Sequence, residues 1–330
     1  MGQKLLFIFN AHSGKGKIKD NLAAILDTFV KAGYEVTVYT TQCQGDAIEK
    51  AKKEAGNYDR IICSGGDGTL DEVITGVMKS GTKVPVGYIP AGSTNDFGNS
   101  LGIDKDMVHA ADIAANGIKF PCDIGEFNDD YFVYVAAFGI FTEVSYTTNQ
   151  SLKNMLGHVA YILEGAKQLL DIPSYRMQVE YDGNVIYDEF IYGMITNSMS
   201  VGGFKGIIPG DISLNDGVFE ITLVRTPKNP IELNEILTFL AGMSKDSNMI
   251  YTIQTNHIKM TSNEEVPWTL DGEFGGNHQV VRVNNCNKAI EIVVEDEDKI
   301  KAISTMDEIE DVDVIDSDND KSEIDDNNKV

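Results

Sequence analysis

The 330-residue chain is poor in features that mark several classes of protein. Its four cysteines are widely separated in sequence: Cys43, Cys63, Cys122 and Cys286. Disulfide frameworks and zinc sites use closely spaced cysteines, so we expect reduced thiols and a cytoplasmic protein. No apolar run approaches the roughly 20 residues of a membrane-spanning helix. The opening "KLLFIF" is also too short for a signal peptide, and it predicts a buried first strand.

Basic residues are scarce as well. The chain has 27 Lys and Arg against 51 Asp and Glu, a net charge of −24. Residues 291–330 alone contain 16 acidic and 4 basic residues, which is half of the excess. Such a segment buries too little apolar surface to fold, so residues 303–330 are predicted to be a disordered tail. Because phosphate backbones would be repelled, we expect no nucleic acid partner.

Apolar segments alternate with amphipathic segments as far as about residue 125. The series is "LLFIFN", "NLAAILDTFVKAG", "EVTVYTT", "AIEKAKKEAG", "RIICSGG", "TLDEVITGVMKSG", "VPVGYIP" and "DMVHAADIAANG". Continuous apolar strands between helices are typical of a parallel sheet with both faces covered. In such a sheet, ligands bind at the loops that leave the carboxyl ends of the strands.

From about residue 126 the sequence becomes rich in aromatic and β-branched residues, which predicts a mainly β domain. Strands are expected at "YFVYVAAFG", "YRMQVEY", "VIYDEFIYGMITNS", "DGVFEITLVR", "HIKMTS", "VVRVNNC" and "NKAIEIVVE". Hairpin punctuation falls at "DGN" and between "VVRVNNC" and "NKAIEIVVE". Apolar residues recur at helical spacing in 156–170 and 231–240, and both stripes are expected to face the core. The single tryptophan, Trp268, is expected in a packed or rim position rather than at a membrane interface.

"SGGDGT", residues 64–69, lies between a buried strand and a predicted helix. Glycines allow close approach of the backbone to an oxygen-rich ligand, and the amides of a helix N-terminus favour phosphate. Asp67 would repel phosphate unless a metal lay between them, and magnesium shares carboxylate and phosphate oxygens readily. The alternative is an Asp-Gly turn that only joins strand to helix.

Two further loops follow predicted strands. "NAHSGKG" offers Asn10, His12, Ser13 and Gly14, or is merely a solvated turn. "PAGSTNDF" offers polar residues that could instead cap a helix through Thr94 or Asn95: Gly92, Ser93, Thr94, Asn95 and Asp96. All three loops should meet at one edge of one sheet.

With "LNDGVFEI" and "LDGE", these motifs resemble the diacylglycerol kinase catalytic-domain family of lipid kinases, from the first strand to about residue 295. "GGDGT" alone is shared with NAD kinases and phosphofructokinase-like enzymes. The resemblance implies an ATP site whose residues are Asn10, Ala11, His12, Ser13, Gly14, Thr41, Gly66, Asp67, Gly68, Thr69, Leu70, Asp71, Glu72, Thr94, Asn95 and Asp96. Asp71 and Asn99 stand where members of the family commonly carry Asn and Arg.

The same resemblance assigns proton acceptance to Glu273, one of two carboxylates in "LDGE". Asp271, two residues away in an extended segment, can face the same cleft and orient water or metal, or help hold the site. The alternative is an ordinary hairpin turn. The resemblance also implies a structural magnesium at Asp216 and the carbonyls of Ser213 and Val218, with Asp123 in the surrounding network. An Asn-Asp-Gly hairpin turn would use the same sequence.

The expected fold is α/β plus mainly β: a doubly wound parallel-sheet nucleotide-binding domain, NAD kinase/phosphofructokinase-like, followed by a β-sandwich. The expected boundaries are 1–125 for the ATP-binding domain, 126–288 for the lipid-substrate domain, 289–302 for a segment returning to the first domain, and 303–330 for the tail. The expected activity is transfer of phosphate from Mg·ATP to 1,2-diacylglycerol by a homodimer at the inner face of the membrane, without a transmembrane segment. The alternatives are NAD kinase-like phosphorylation of a soluble substrate and a noncatalytic nucleotide sensor.

Overall fold

The computed structural model describes residues 2–92, 95–140, 173–197, 213–240, 244 and 246–300. Four sequence predictions concern residues outside these ranges: Ser93 in the third loop, Thr94 in the ATP site, the helical stripe at 156–170, and the acidic tail at 303–330.

The first part of the chain alternates strands and helices, as the sequence predicts. The order is β1 (Gln3–Phe9), α1 (Ile18–Lys31), β2 (Tyr34–Thr40), α2 (Asp46–Glu54), β3 (Arg60–Gly65), α3 (Asp67–Ser80), β4 (Val86–Pro90), α4 (Asp96–Ser100) and α5 (Met107–Asn116). The inner strands are rich in apolar residues because both of their faces are covered. Every residue of β3, for example, is buried. Helix α5 begins where the Asp106 carboxylate accepts the N–H groups of Val108 and His109.

The rest of the described chain is mostly strand. It contains β5 (Ile118–Phe127), β6 (Asp130–Phe132), β7 (Val135–Gly139), β8 (Tyr175–Tyr181), β9 (Asn184–Thr196), β10 (Phe219–Arg225), α6 (Pro230–Leu240), β11 (Ile250–Thr255), β12 (His257–Leu270) and β13 (Glu273–Val294). Helix α6 confirms the helical stripe predicted at 231–240, and the turn between β8 and β9 confirms the "DGN" hairpin.

Strands from both parts form one hydrogen-bonded series, β11-β10-β9-β7-β12-β13-β4-β3-β1-β2. Strands β2, β1, β3 and β4 are parallel to their neighbours, and β13 joins β4 in parallel through Ile292 and Val293. The earlier part of β13 pairs antiparallel with β12. The 22-residue β13 therefore connects the parallel region to the antiparallel region.

Two of the strand predictions are wrong in detail. "YFVYVAAFG" is divided into β6 and β7, because the N–H groups of Val133 and Tyr134 bind the carboxylate of Asp271 instead of a neighbouring strand. No hairpin turn separates "VVRVNNC" from "NKAIEIVVE" at the "NK" sequence. Strand β13 continues through it with a register shift between Cys286 and Ile290, and Lys288 has a φ of 51°.

Buried apolar residues form a large cluster around the parallel strands and a second cluster in the antiparallel region. Trp268 belongs to the second cluster. It is buried against Phe127 and Phe138, with ring centroids 5.1 and 4.8 Å away. Trp268 therefore has a packed position. Within the described ranges, no helix has the length and apolar character that would let it cross a membrane.

Candidate active site

The loops that follow β1, β3 and β4 contact one another at one edge of the sheet. The Asn10 N–H donates to the Ser64 carbonyl at 2.9 Å, and the Ala91 N–H donates to the Gly65 carbonyl at 2.8 Å. Gly14 has a φ of 56°, and a Cβ there would overlap the carbonyl oxygen of Ala91. The first loop thus lies directly against the third, with the glycine loop between β3 and α3 beside both.

A cavity of about 500 Å³ opens at this edge. Sequence-predicted residues supply most of its lining: Asn10, His12, Ser13, Thr41, Gly66, Gly68, Thr69, Glu72 and Glu273. The described lining includes two carboxylates and no lysine or arginine. Positive potential for a phosphate must therefore come from backbone amides and from any cation that accompanies the ligand.

The N-terminus of α3 is the source of those amides. The helix begins at Asp67 after the N-cap Gly66, and both Gly66 and Gly68 line the cavity. Its unpaired N–H groups and the positive end of its dipole suit an anion such as a phosphate group.

Asp67 is oriented toward the third loop. Its carboxylate accepts N–H groups from Asn95, Asp96 and Phe97 at the start of α4. Burial raises its pKa, and these hydrogen bonds oppose the rise. Its Oδ1 is buried without a hydrogen-bond partner among the described residues. An oxygen in that state fits a hard cation, so the residues present here are compatible with magnesium.

Asn95 shapes its own loop. Its Oδ1 accepts the Gly92 N–H at 3.0 Å and the Tyr88 hydroxyl at 3.1 Å, while its Nδ2 donates to the Gly92 carbonyl. Its φ is 53°. Asn95 occupies the N-cap position of α4, but its side chain makes no capping hydrogen bond to that helix. The alternative role as a helix cap is therefore wrong for Asn95.

Glu72 connects the cavity to the loop after β2. Its two carboxylate oxygens accept the N–H groups of Gly45 and Ala47 at 2.8 and 3.1 Å, at the start of α2. Thr41, at the end of β2, is bonded through its N–H to the Phe9 carbonyl at 3.0 Å. A fourth loop is thus fixed beside the other three.

Glu273 lies at the mouth of the cavity, at the start of β13. Its Oε2 accepts a hydrogen bond from Gln44 Nε2 at 2.8 Å. Its Oε1 would be 2.6 Å from a Cβ placed on Gly68. The carboxylate is therefore held between the β2–α2 loop and the first turn of α3, where a phosphate would bind.

Replacing Gly68 with alanine is expected to lower kcat for the phosphoryl transfer expected from the sequence by about 10- to 100-fold. The reason is that the new methyl group would displace the Glu273 carboxylate. The thermal unfolding midpoint should change little, because the end of a flexible exposed side chain can move away. The matched control is Gly56→Ala, whose Cβ would meet only Thr82 Oγ1 at 3.7 Å. Equal kcat values for the two variants would show that crowding of Glu273 does not matter.

Other predicted residues lie behind the cavity. Leu70 is buried in the apolar core, and Asp71 and Asp271 meet beneath Glu273. Asp271 is buried in the turn between β12 and β13, and it accepts the N–H groups of Val133, Tyr134 and Val135 at 2.6 to 3.0 Å. Its observed contacts therefore hold the turn that presents Glu273.

The predicted metal loop contains oxygen donors, although two of them are already hydrogen-bonded. Asp216 is exposed and accepts the Val218 N–H at 3.1 Å, and the Val218 carbonyl accepts Asn285 Nδ2 at 3.3 Å. Among the described residues, no three acidic, histidine or cysteine side chains cluster as metal ligands. One carboxylate with the carbonyls of Ser213 and Val218 agrees with magnesium in ligand type.

Asp123 is fully buried beside this loop. Its carboxylate accepts the N–H groups of Gly217 and Lys288 at 2.6 and 2.7 Å, and the side-chain amides of Asn287 and Asn285 at 3.0 and 3.3 Å. It therefore joins β5, the loop before β10 and the irregular part of β13.

Sequence reasoning missed three residues that line the cavity: Gln42, Cys43 and Gln44. The signal for them was available. They directly follow β2, a parallel strand next to β1, and loops at the carboxyl ends of such strands form ligand sites. The hydrogen bond between Gln44 and Glu273 joins residues 229 positions apart, and no local pattern indicates it.

Comparison with known proteins shows which family the chain resembles. Residues 4–127 match the model of the diacylglycerol kinase catalytic domain, and residues 134–294 match the YegS C-terminal NAD kinase beta sandwich-like domain. A diacylglycerol kinase from Bacillus subtilis (strain 168) is 40% identical over 273 residues, which are 82% of this chain and 89% of that protein. One from Staphylococcus carnosus (strain TM300) is 36% identical over 279 residues, 84% and 90% of the two chains.

The fold also matches solved structures. A diacylglycerol kinase structure from Bacillus anthracis (strain Sterne) aligns with a TM-score of 0.70 at 24% identity, covering 90% of this chain and 98% of the other. The two family models match consecutive parts of the chain, and the relatives align with more than four fifths of it. This chain belongs to the diacylglycerol kinase family.

Proposed function

We propose that this lipid kinase transfers the γ-phosphoryl group of ATP to the free hydroxyl of 1,2-diacylglycerol, giving phosphatidic acid, with Glu273 as the general base. Membership of the family supports the use of ATP and a lipid substrate. The observation that carries the assignment of the base is the position of Glu273. It is the carboxylate at the mouth of the cavity, beside the N-terminus of α3.

Phosphoryl transfer requires positioning, charge neutralisation and an acceptor for the hydroxyl proton. The amides at the start of α3 bind the triphosphate, while Asn10, Ser13 and Thr41 line the nucleotide cavity. Glu273 accepts the proton as the lipid oxygen attacks the γ-phosphorus. Gln44 holds one oxygen of Glu273, so that the other is available to the lipid hydroxyl.

Magnesium belongs to the same proposal. Asp67, whose Oδ1 is buried and unpartnered among the described residues, would hold it together with Asp96. When bound, the ion neutralises phosphate charge beside carboxylates. A second, structural magnesium would take Asp216 and the carbonyls of Ser213 and Val218.

We also propose how the chain is divided into domains. Residues 1–125 would form a doubly wound ATP-binding domain; in support, α1 packs with α5, and α2 packs with α3. Residues 126–288 would form the lipid-substrate domain. The pairing of Ile292 and Val293 with β4 supports a return of residues 289–302 to the first domain.

The substrate's insolubility places the reaction at a membrane surface, and we assign the chain to the inner face of the cell membrane as a homodimer. Phe274, the residue after Glu273, is 59% exposed and offers an apolar contact beside the base. Co-sedimentation with diacylglycerol-containing vesicles tests the surface association, and sedimentation equilibrium tests the dimer.

The activity is tested by incubating the purified protein with Mg·ATP and diacylglycerol micelles, with NAD, or with neither. We expect labelled phosphate in phosphatidic acid only. Transfer to NAD alone would replace the lipid assignment with the NAD kinase-like one. Absence of transfer to either acceptor would favour a nucleotide sensor. Mass spectrometry of the lipid product would identify the acyl chains that the enzyme accepts.

A further inference from the structure

Two carboxyl groups meet beneath the proposed base. Asp71 lies on α3, one turn after Asp67, and its carboxyl is within hydrogen-bonding distance of the Asp271 carboxyl. Asp271 is 5% exposed. Asp71 Oδ1 is hidden from solvent and has no N–H or O–H partner among the described residues. Two ionised carboxylates at this separation in a buried site repel each other strongly, so one proton must be shared between them.

The surrounding hydrogen bonds decide which residue carries the proton. Asp271 accepts three backbone N–H groups, two at one oxygen and one at the other. Such bonds favour the ionised form. Burial raises the pKa of Asp271, but the N–H groups oppose that rise. Burial raises the pKa of Asp71 well above its usual range, and the charge of Asp271 raises it further.

The other charged groups around Asp71 act in the same direction. Glu273 and Asp130 both raise the pKa of Asp71. Asp130 is paired with Lys79 of α3 at 2.9 Å, which leaves Lys79 engaged elsewhere. The buried Tyr134 hydroxyl also faces this cluster, and burial with the nearby Asp271 charge raises its pKa. No cation among these groups compensates a charge on Asp71.

We infer that Asp71 carries a proton at neutral pH and donates it in a hydrogen bond to ionised Asp271, which makes Asp71 a positioning residue for the turn that bears Glu273. In this state Asp71 acts as a neutral hydrogen-bond donor. The bond connects α3, whose N-terminus faces the phosphate cavity, to the β12–β13 turn two residues before Glu273. The effect on catalysis rests on the proposed function, whereas the position of the proton does not.

The first experiment measures the proton without activity. The side chain of Asp71→Asn keeps a donor and cannot ionise. If native Asp71 is protonated, unfolding releases its proton above pH about 4, the usual value for an aspartate. Wild-type stability should then fall relative to Asp71→Asn as the pH is raised from about 4 towards the native pKa. The midpoint of wild type minus the midpoint of Asp71→Asn should therefore decrease steadily over that range.

The control is Asp129→Asn at an exposed position, whose difference from wild type should not change with pH in this way. A difference, wild type minus Asp71→Asn, that stays constant or increases with pH would overturn the inference. Infrared difference spectra give an independent measure. The wild-type spectrum should contain a carboxylic acid carbonyl band that Asp71→Asn lacks, and no such band would also overturn it.

The second experiment measures positioning. With diacylglycerol as acceptor, Asp71→Ala should lower kcat by about 10-fold or more, because the donor to Asp271 is lost. Asp71→Asn should recover most of that loss and keep a larger share of its kcat than wild type as the pH rises. Equal kcat values for the Ala and Asn variants would refute the positioning role. If no variant and no wild-type protein phosphorylates lipid while the midpoints follow the expected pattern, the proposed function fails and the protonated Asp71 stands.

Discussion

Replacing Glu273 with glutamine is expected to lower kcat for diacylglycerol phosphorylation by about 10²–10⁴-fold, the usual contribution of a general base. Glutamine preserves the size of the side chain and its contact with Gln44, but its amide cannot accept a proton at ordinary pH. The exposed position at the start of β13 makes a large loss of stability unexpected. Steady-state kinetics with labelled ATP measure the effect.

Three measurements separate a lost base from a damaged site. Affinity for Mg·ATP should be nearly intact, because the triphosphate is expected to bind at the amides of α3 rather than at Glu273. The thermal unfolding midpoint should also be retained. Glu265→Gln, at an exposed glutamate on β12, is the matched control and should turn over normally. Turnover of Glu273→Gln at the wild-type rate would remove Glu273 from its proposed role.

The order of strands and helices in the first part of the chain could be predicted, because strands that are buried on both faces have continuous apolar runs in the sequence. Strand β3 has the apolar run Ile61, Ile62 and Cys63 at its centre, and every one of its residues is buried. Alternation of such strands with amphipathic helices indicates parallel pairing, and adjacent parallel strands bring their following loops together. The contact between Gly14 and Ala91 is the three-dimensional consequence.

The interruptions of the β region could not be predicted, because distant residues cause them. Val133 and Tyr134 have strand-forming side chains, yet their N–H groups are bound by a carboxylate 138 and 137 positions later in the chain. Asn287 and Lys288 resemble a turn, but their bonds to Asp123 let β13 continue past them. Both departures depend on buried carboxylates that compete with the usual sheet hydrogen bonds.

The sequence indicated which loops form the candidate site. It did not indicate which partner each carboxylate in those loops would bind. Asp67 and Asp71 are both part of the glycine-loop motif. Asp67 binds the start of α4, and Asp71 meets Asp271. Residues one helical turn apart share a face, but their partners come from separate segments. Tertiary packing decided those partners, and a pattern within one segment carries no record of it.

Asp123→Ala is expected to cause the largest loss of stability among these variants. Four donors, two backbone N–H groups and two asparagine amides, converge on this fully buried carboxylate. A donor left buried without a partner costs about 1–3 kcal/mol, and two of these donors, at Asn287 and Lys288, belong to exposed residues that water can reach. Because water entering the space would satisfy part of the set, we expect the free energy of unfolding to fall by roughly 3–5 kcal/mol.

That loss is a large share of the roughly 5–15 kcal/mol that stabilises a typical domain, so much of the variant should unfold on mild heating. Urea and thermal unfolding measure it, with Asp129→Ala at the exposed turn after β5 as the matched control. Asp123→Asn should show an intermediate loss, because one oxygen is kept as acceptor while the new amide faces donors. If Asp123→Ala unfolded at the midpoint of Asp129→Ala, the four bonds would contribute little net stability. The connection between β5 and β13 would then depend on their paired strands alone.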